Sequence, residues 1–185
     1  MFETLKNAFR NKDIRKKIII TLLILLVFRV GCYIPVPGLR GSFFSAAIEG
    51  NTFLQLMSSI TGGSLASGTL FALGIGPYIN ASIIMQLLTV GIPALERLSK
   101  QGEEGRKKIS NITRIITVVL AVVQAVGIIV NFANQEVDLA SGETGTAIKL
   151  DMFFDSAVFA GFYMTIVYTA GAMLVMWLGE RITEY

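Results

Sequence analysis

The chain has 185 residues, of which 53% are hydrophobic and 16% are charged, and its formal net charge is +3 at pH 7. Soluble domains carry about 25% charged residues, so this composition argues against a soluble domain and favours a polytopic membrane protein. The sequence has no histidine and one cysteine, Cys32, which excludes an intrachain disulfide framework and removes the commonest general base and metal ligand. We interpret Cys32 as a small buried apolar residue, with a reactive thiol as the alternative.

The N-terminal segment 1–17 places Phe2, Leu5 and Phe9 at helical spacing, with basic residues on the other side. This pattern is typical of a helix that lies in the membrane interface and is attracted to anionic lipid. A solvated helix is the alternative. The apolar run that follows has no small-residue cleavage site, so we expect a retained span rather than a secretory signal peptide.

Long apolar runs predict four transmembrane helices, each approaching the ~20 residues that a helix needs to cross ~30 Å of hydrocarbon. The runs are 18–34, 71–90, 115–131 and 153–178. A charge inside a span is costly, and Arg29 lies near the outer end of the first one. We expect Arg29 to snorkel to the surface or to pair with a neighbouring helix, with a functional site as the alternative.

Basic residues predict the orientation of these spans. They are concentrated before the first span and in the loop 91–114, which includes Arg106, Lys107 and Lys108. The positive-inside rule places both basic segments, and therefore both termini, in the cytoplasm. The basic loop either determines this topology and contacts lipid headgroups, or touches RNA or an acidic partner protein.

The connection 39–70 contains a short predicted helix within NTFLQLMSSIT, residues 51–61. A helix of about ten residues reaches ~15 Å, half a membrane, so it would lie on the outer surface or dip in and return. Asn51 or Thr52 is the expected N-cap, and a glycine pair is the expected stop. The apolar residues predicted to share one face are Phe53, Leu54, Leu56, Met57 and Ile60.

Glycines follow this helix at Gly62, Gly63, Gly74 and Gly76 and permit hinging of the backbone. Irregular backbone at membrane depth occurs only when it is buried in protein or lines a water-filled cavity. The pattern therefore favours a discontinuous element at a pore, with a surface loop before a proline-kinked span as the alternative.

The second predicted span carries an isoleucine stripe, formed by Ile75, Ile79 and Ile83 at intervals of one turn, with Asn80 on an adjoining face. Such a stripe faces lipid or core, or it forms a hydrophobic constriction that restricts water in a pore. Gln124 lies midway along the third span, where we expect it to hydrogen-bond to a neighbouring helix.

Patterns of catalysis and cofactor binding are missing from the sequence. It has no GxSxG motif and no His/Cys cluster, and GEEGRKK at 102–108 lacks the spacing of a Walker A loop. The predicted spans also lack a deep carboxylate, which argues against a proton-coupled pump. We therefore expect neither an enzyme nor a bound cofactor or metal.

Four segments, in order along the whole chain, resemble the SecY family, the central subunit of the bacterial protein-conducting channel. They are FRVGCYIPVPG (28–38), FALGIGPYINASIIMQLL (71–88), KQGEEGRKKISNITR (100–114) and MWLGERITEY (176–185). The resemblance implies an all-α polytopic fold, with four transmembrane helices and a re-entrant half-helix, as the N-terminal half of an inverted-repeat channel. It also implies a place in the inner (plasma) membrane and the passage of unfolded polypeptides for secretion and membrane insertion.

The resemblance assigns roles to particular residues. It implies that the half-helix 52–63 is the plug of the closed pore and that Ile75 and Ile79 belong to the pore ring. Asn80 and Gln124 would flank the lateral gate, through which signal sequences reach lipid. The four glycines named above would form the hinge that lets the plug move.

The partners that the resemblance implies are SecE-like and SecG-like membrane subunits, and SecA or the ribosome in a complete channel. The sequence ends at GERITEY, just before the fifth span of the family should start, so the remaining pore ring would come from elsewhere. The alternatives are a transport-inactive scaffold that binds other membrane subunits, a homodimeric half-channel, and a small-solute channel or transporter.

Overall fold

The computed structural model of the chain describes residues 12–49, 51–134, 136–138, 144–146 and 157–184. These residues form seven helices and one two-stranded antiparallel ribbon. In chain order they are α1 (Lys12–Gly31), α2 (Gly41–Glu49), α3 (Thr52–Ile60), α4 (Gly76–Gly91), α5 (Pro93–Ser99), α6 (Glu103–Asn134), β1 (Glu136–Asp138), β2 (Thr144–Thr146) and α7 (Ala157–Glu184). The predicted interfacial helix around Phe2, Leu5 and Phe9 lies outside the described residues.

Two of these helices, α6 and α7, are long and apolar enough to cross a membrane, and a bent pair, α4 with α5, makes a possible third span. The bend between α4 and α5 is 105°. It falls at Ile92, whose backbone is extended, as expected for a residue that precedes a proline. The predicted first span forms α1, but Arg29 and the basic residues before Ile18 shorten its apolar run. The predicted count of four spans therefore stays a prediction.

Several boundaries differ from those predicted. The second predicted span starts at Gly76 and not at residue 71, because 71–75 form turns and Pro77, which lacks an N–H, is suited to a first helical turn. The predicted loop 91–114 is instead helical in α5 and from Glu103 onward. Acidic residues in the first turn of α6 favour this extension, because they interact well with the positive end of the helix dipole.

Two short strands between α6 and α7, β1 and β2, form the antiparallel ribbon. Val137 pairs with Gly145 at its centre. A Cβ atom on Gly145 would lie 3.2 Å from the ring of Phe43 in α2, so the ribbon packs directly on that helix. The absence of a side chain at this position permits the contact.

The main core forms where α2, the turn segment 61–75, α6 and α7 meet. The rings of Phe44 and Phe132 lie with their centroids 4.3 Å apart. Ala121 and Ala125 on α6 are fully buried, as small residues are where membrane helices approach closely. Large apolar side chains on the outer faces of α1, α6 and α7 stay exposed, which is the surface that lipid would cover.

A smaller apolar cluster attaches the end of α1 to the turn segment. The rings of Phe28 and Phe71 are stacked with centroids 5.5 Å apart. Cys32 is buried in this cluster with Val175 of α7, which confirms its interpretation as a small buried residue.

An ion pair joins α6 and α7 at one end of the bundle. Arg114 Nε donates a hydrogen bond to Glu180 Oε1 at 2.8 Å, and the two side chains are 46% and 17% exposed. Exposed pairs contribute little, so Glu180→Gln should lower stability by only about 0.2–1 kcal/mol. Thermal unfolding in detergent measures this loss of stability, with the fluorescence of Trp177, the single tryptophan, as the signal. Glu96→Gln, which breaks the more exposed pair with Lys100, is the control, and a larger loss there would contradict the expectation.

Candidate functional site

The short helix α3 begins and ends as predicted. The carbonyl oxygen of Asn51 accepts a hydrogen bond from the fourth residue after it at 3.0 Å, which makes Asn51 the N-cap. At the other end, Gly62 N–H donates to Ser59 O at 3.2 Å and Gly63 N–H donates to Ser58 O at 2.8 Å. This is the Schellman motif, and the φ angles of +65° and +83° at the two glycines explain why residues with no side chain stand there.

The predicted apolar face of α3 is only partly buried. Leu54 and Met57 are half-buried and pack against the core, whereas Leu56 is 58% exposed and Ile60 is 71% exposed. Around the helix axis, Leu56 lies about 100° and Ile60 about 60° from Met57. The side chain of Phe53 lies outside the described residues.

A cavity of about 450 Å³, which we call the isoleucine cavity, is lined by α1, α3, α4 and α7 together with residues that lead into α4. Met57 and Ile60 line it from α3, and Ile75 and Ile79 line it from the start of α4. Ile75 Cδ1 lies 3.6 Å from the position that a Cβ atom would take on Gly179 of α7. The two predicted pore-ring residues therefore share a cavity with the predicted plug helix. Gly179, which the sequence analysis did not single out, provides the surface against which one of them rests.

A second cavity of about 540 Å³, which we call the amide cavity, is lined by α3, α4 and α6. Asn80 and Gln124, the two predicted gate residues, both line it. Asn51 and Asn131 line it as well, and sequence reasoning missed them because they stand at the ends of apolar segments, where amides are common. Asn80 also lines the isoleucine cavity, so the two cavities adjoin at this residue.

The turn segment 61–75 links α3 to α4 and contains the predicted hinge glycines. Gly74 has a φ of +56°, and a Cβ atom there would lie 3.1 Å from Thr61 Cγ2. Thr61 Oγ1 in turn donates a hydrogen bond to Met57 O at 3.1 Å, so Thr61 connects the end of α3 with the approach to α4. Gly76 differs from the other three glycines, because it is the first residue of α4 and its φ angle is not positive.

Hydrogen bonds anchor the turn segment to the chain that follows α1. Leu70 N–H donates to Ile34 O at 3.0 Å, and Pro35 forms an isolated antiparallel bridge with Thr69. The buried hydroxyls of Ser64 and Thr69 are hydrogen-bonded to each other. The approach to α4 is therefore held in place by the chain that follows α1.

The predicted cytoplasmic cations Arg106, Lys107 and Lys108 are exposed on the first turns of α6. The residues of α6 that line the amide cavity lie in its second half. The basic surface and the amide cavity are thus separated along one long helix.

Comparison with known proteins identifies the family. The family model for SecY matches residues 69–185. The protein translocase subunit SecY of Staphylococcus carnosus (strain TM300) is 38% identical over 186 residues, which cover 100% of this chain and 40% of the relative. The protein translocase subunit SecY of Streptomyces griseus is 42% identical over 187 residues, which cover 100% of this chain and 42% of the relative. The chain thus spans about 40% of the length of these curated relatives, and because the family model matches more than half of it, the chain belongs to the SecY family.

Proposed function

We propose that the chain forms the N-terminal part of a protein-conducting channel that passes unfolded polypeptides across the inner membrane and inserts them into it. Its relatives carry the name protein translocase subunit. The observation that carries the proposal is the isoleucine cavity, where Ile75 and Ile79 lie across from Met57 and Ile60. Apolar side chains around a narrow passage oppose wetting, so they restrict ions while a flexible polypeptide can still displace them. A short helix beside them, too short to cross the membrane, is suited to act as a plug.

In this proposal, the amide cavity belongs to a lateral gate between α4 and α6. A signal sequence that leaves the pore for lipid passes between these helices. Asn80 and Gln124 offer it hydrogen bonds that apolar side chains do not, and such bonds between membrane helices contribute about 0.6–2 kcal/mol each. The position of Asn80 at both cavities supports a path from the pore to the gate.

We further propose that the rest of the channel and its driving force come from partners. SecE-like and SecG-like subunits would cover the exposed apolar faces, and SecA or the ribosome would deliver the polypeptide. The exposed cations Arg106, Lys107 and Lys108 would lie on the cytoplasmic side, next to anionic lipid headgroups, with both termini on that side.

Crosslinking tests this function in a complete channel that carries the chain. With Cys32 replaced by serine, Asn80→Cys is expected to form a disulfide with a cysteine placed in the apolar core of a signal sequence during translocation. The reason is that the side chain at position 80 lines both proposed cavities.

Ser82→Cys is the matched control for this experiment. Ser82 lies two residues further along α4 and lines a different cavity, together with Arg106. It should crosslink much less, because it lies about 200° around the helix from Asn80. Failure of Asn80→Cys with several signal sequences, or equal crosslinking at both positions, would contradict the gate.

A further inference from the structure

Arg29 lies in the last turn of α1 and approaches the end of α3. Its Nη1 is 3.5 Å from the position that a Cβ atom would take on Gly62. A cavity of about 170 Å³ at this point is lined by Arg29 and by Gly62, Gly63 and Ser67, among others. Two helices that are distant in the sequence therefore meet at one guanidinium group.

The described part of the chain contains two ion pairs, Lys100 with Glu96 and Arg114 with Glu180. Among these residues, no carboxylate pairs with the guanidinium of Arg29. Nη2 donates to the hydroxyl of Tyr33 at 3.4 Å, and Cζ lies 5.3 Å from the centre of the same ring. A single long hydrogen bond to a neutral group leaves most of the five guanidinium N–H donors for other acceptors. A charge near a membrane core requires such partners.

The end of α3 supplies negative potential at this place. The last four carbonyl groups of a helix have no partner within it and give the C-terminus a partial negative charge. The Schellman bonds use two of the carbonyl oxygens near this end, those of Ser58 and Ser59. A cation beside the last turn is favourable, and this attraction falls off within a turn of the helix.

We propose that Arg29 is a positioning residue that holds the glycine end of α3 against α1. One part of the proposal rests on the proposed function, namely that the helix so held is the plug. The hydrogen bonds that anchor the turn segment to the chain after α1 involve residues 68–70, so Gly62 and α3 lie outside them. Displacement of α3 from the isoleucine cavity would carry Gly62 away from the guanidinium. The contact consists of charge and open space rather than interlocked side chains, so breaking it does not itself separate packed side chains.

Hydrogen–deuterium exchange of residues 61–70 tests the contact in the full chain, reconstituted in lipid nanodiscs. Backbone amides in this segment, including those of Gly62 and Gly63, are hydrogen-bonded in the structure. Arg29→Gln removes the charge and should accelerate their exchange about threefold to tenfold. Arg29→Lys keeps the charge and should restore most of the protection. Arg40→Gln is the control, since Arg40 lies over the ring of Phe43 at 5.5 Å and not at the glycine turn.

Two outcomes would overturn the contact: parent-like exchange in Arg29→Gln, or the same acceleration in Arg40→Gln. If the Arg29→Gln variant fails to insert into the membrane, the salt dependence of exchange in the parent chain provides the test. An exposed ion–dipole contact is largely screened between ~0.01 M and ~1 M salt, so exchange of 61–70 should rise over this range. Salt-independent exchange in the parent chain would overturn the proposal.

Ion leak through a complete channel separates this contact from the plug assignment. If Arg29→Gln raises both exchange and leak, the contact and the plug role are both supported. If it raises exchange while the leak stays at the parent level, the contact is supported and the plug role of α3 is contradicted.

Discussion

Gly171→Ala is expected to destabilise the chain by about 2–3 kcal/mol, because it forces α7 away from the turn segment. A Cβ atom on Gly171 would lie 2.0 Å from the carbonyl oxygen of Leu70 and 3.0 Å from its carbonyl carbon. No side-chain rotation relieves a clash with backbone atoms. The backbone of Leu70 cannot retreat easily either, because its N–H is hydrogen-bonded to Ile34 O.

Gly161→Ala is the matched control on the same helix. The nearest atom to a Cβ there is Ile129 Cγ2 at 3.9 Å, which is an ordinary contact. Alanine is favoured over glycine in helices by up to about 1 kcal/mol, so this variant should be as stable as the parent or more so. Thermal unfolding in mild detergent, followed by Trp177 fluorescence, measures both variants. Equal midpoints for the two would show that α7 does not approach Leu70 as closely as described.

Serine at Ile75 and Ile79 together is expected to raise the ion leak of a complete resting channel at least about tenfold. Each replacement removes an apolar side chain whose transfer from water is worth ~1.5–3 kcal/mol, so the isoleucine cavity wets more readily. The two isoleucines are 40% and 47% exposed in this chain and project into the cavity rather than the core. Conductance in planar bilayers, without a translocating polypeptide, is the measurement.

Ile83→Ser is the control for the pore ring. Ile83 belongs to the same stripe on α4 and is 50% exposed, yet it is not among the residues that line the isoleucine cavity. It should leave the leak close to the parent level. A leak that is unchanged in the double variant, or equally raised by Ile83→Ser, would remove the pore-ring assignment.

The isoleucine stripe illustrates how far sequence reasoning extends in this protein. Periodicity placed Ile75, Ile79 and Ile83 on one side of a helix but left open whether that side faces lipid, core or a cavity. Ile75 contacts Gly179, which is more than a hundred positions away in the chain. It also shares a cavity with Ile60, which is about fifteen positions away. Periodicity carries no information about such neighbours.

The amides and the basic segment give a similar contrast. The sequence predicts a hydrogen bond from Gln124 to a neighbouring helix and places Asn80 on a face beside the isoleucine stripe. That they line one cavity depends on how α4 packs on α6. The charges of segment 91–114 interrupt the apolar pattern and so predict a loop, but a helix with solvated charged residues interrupts that pattern equally, and α6 begins within this segment at Glu103.

Local features of the protein follow from its sequence alone, among them the N-cap and the glycine stop of α3 and the extended backbone of Ile92 before a proline. These features follow from residues within a few positions of each other, through backbone hydrogen bonds, allowed φ angles and the missing N–H of proline. The tertiary structure alone decided which side of α3 is buried, that Arg29 meets Gly62, and that Leu70 leaves no room for a side chain on Gly171. These contacts join segments that are far apart in the chain, and they exist only once the helices have packed.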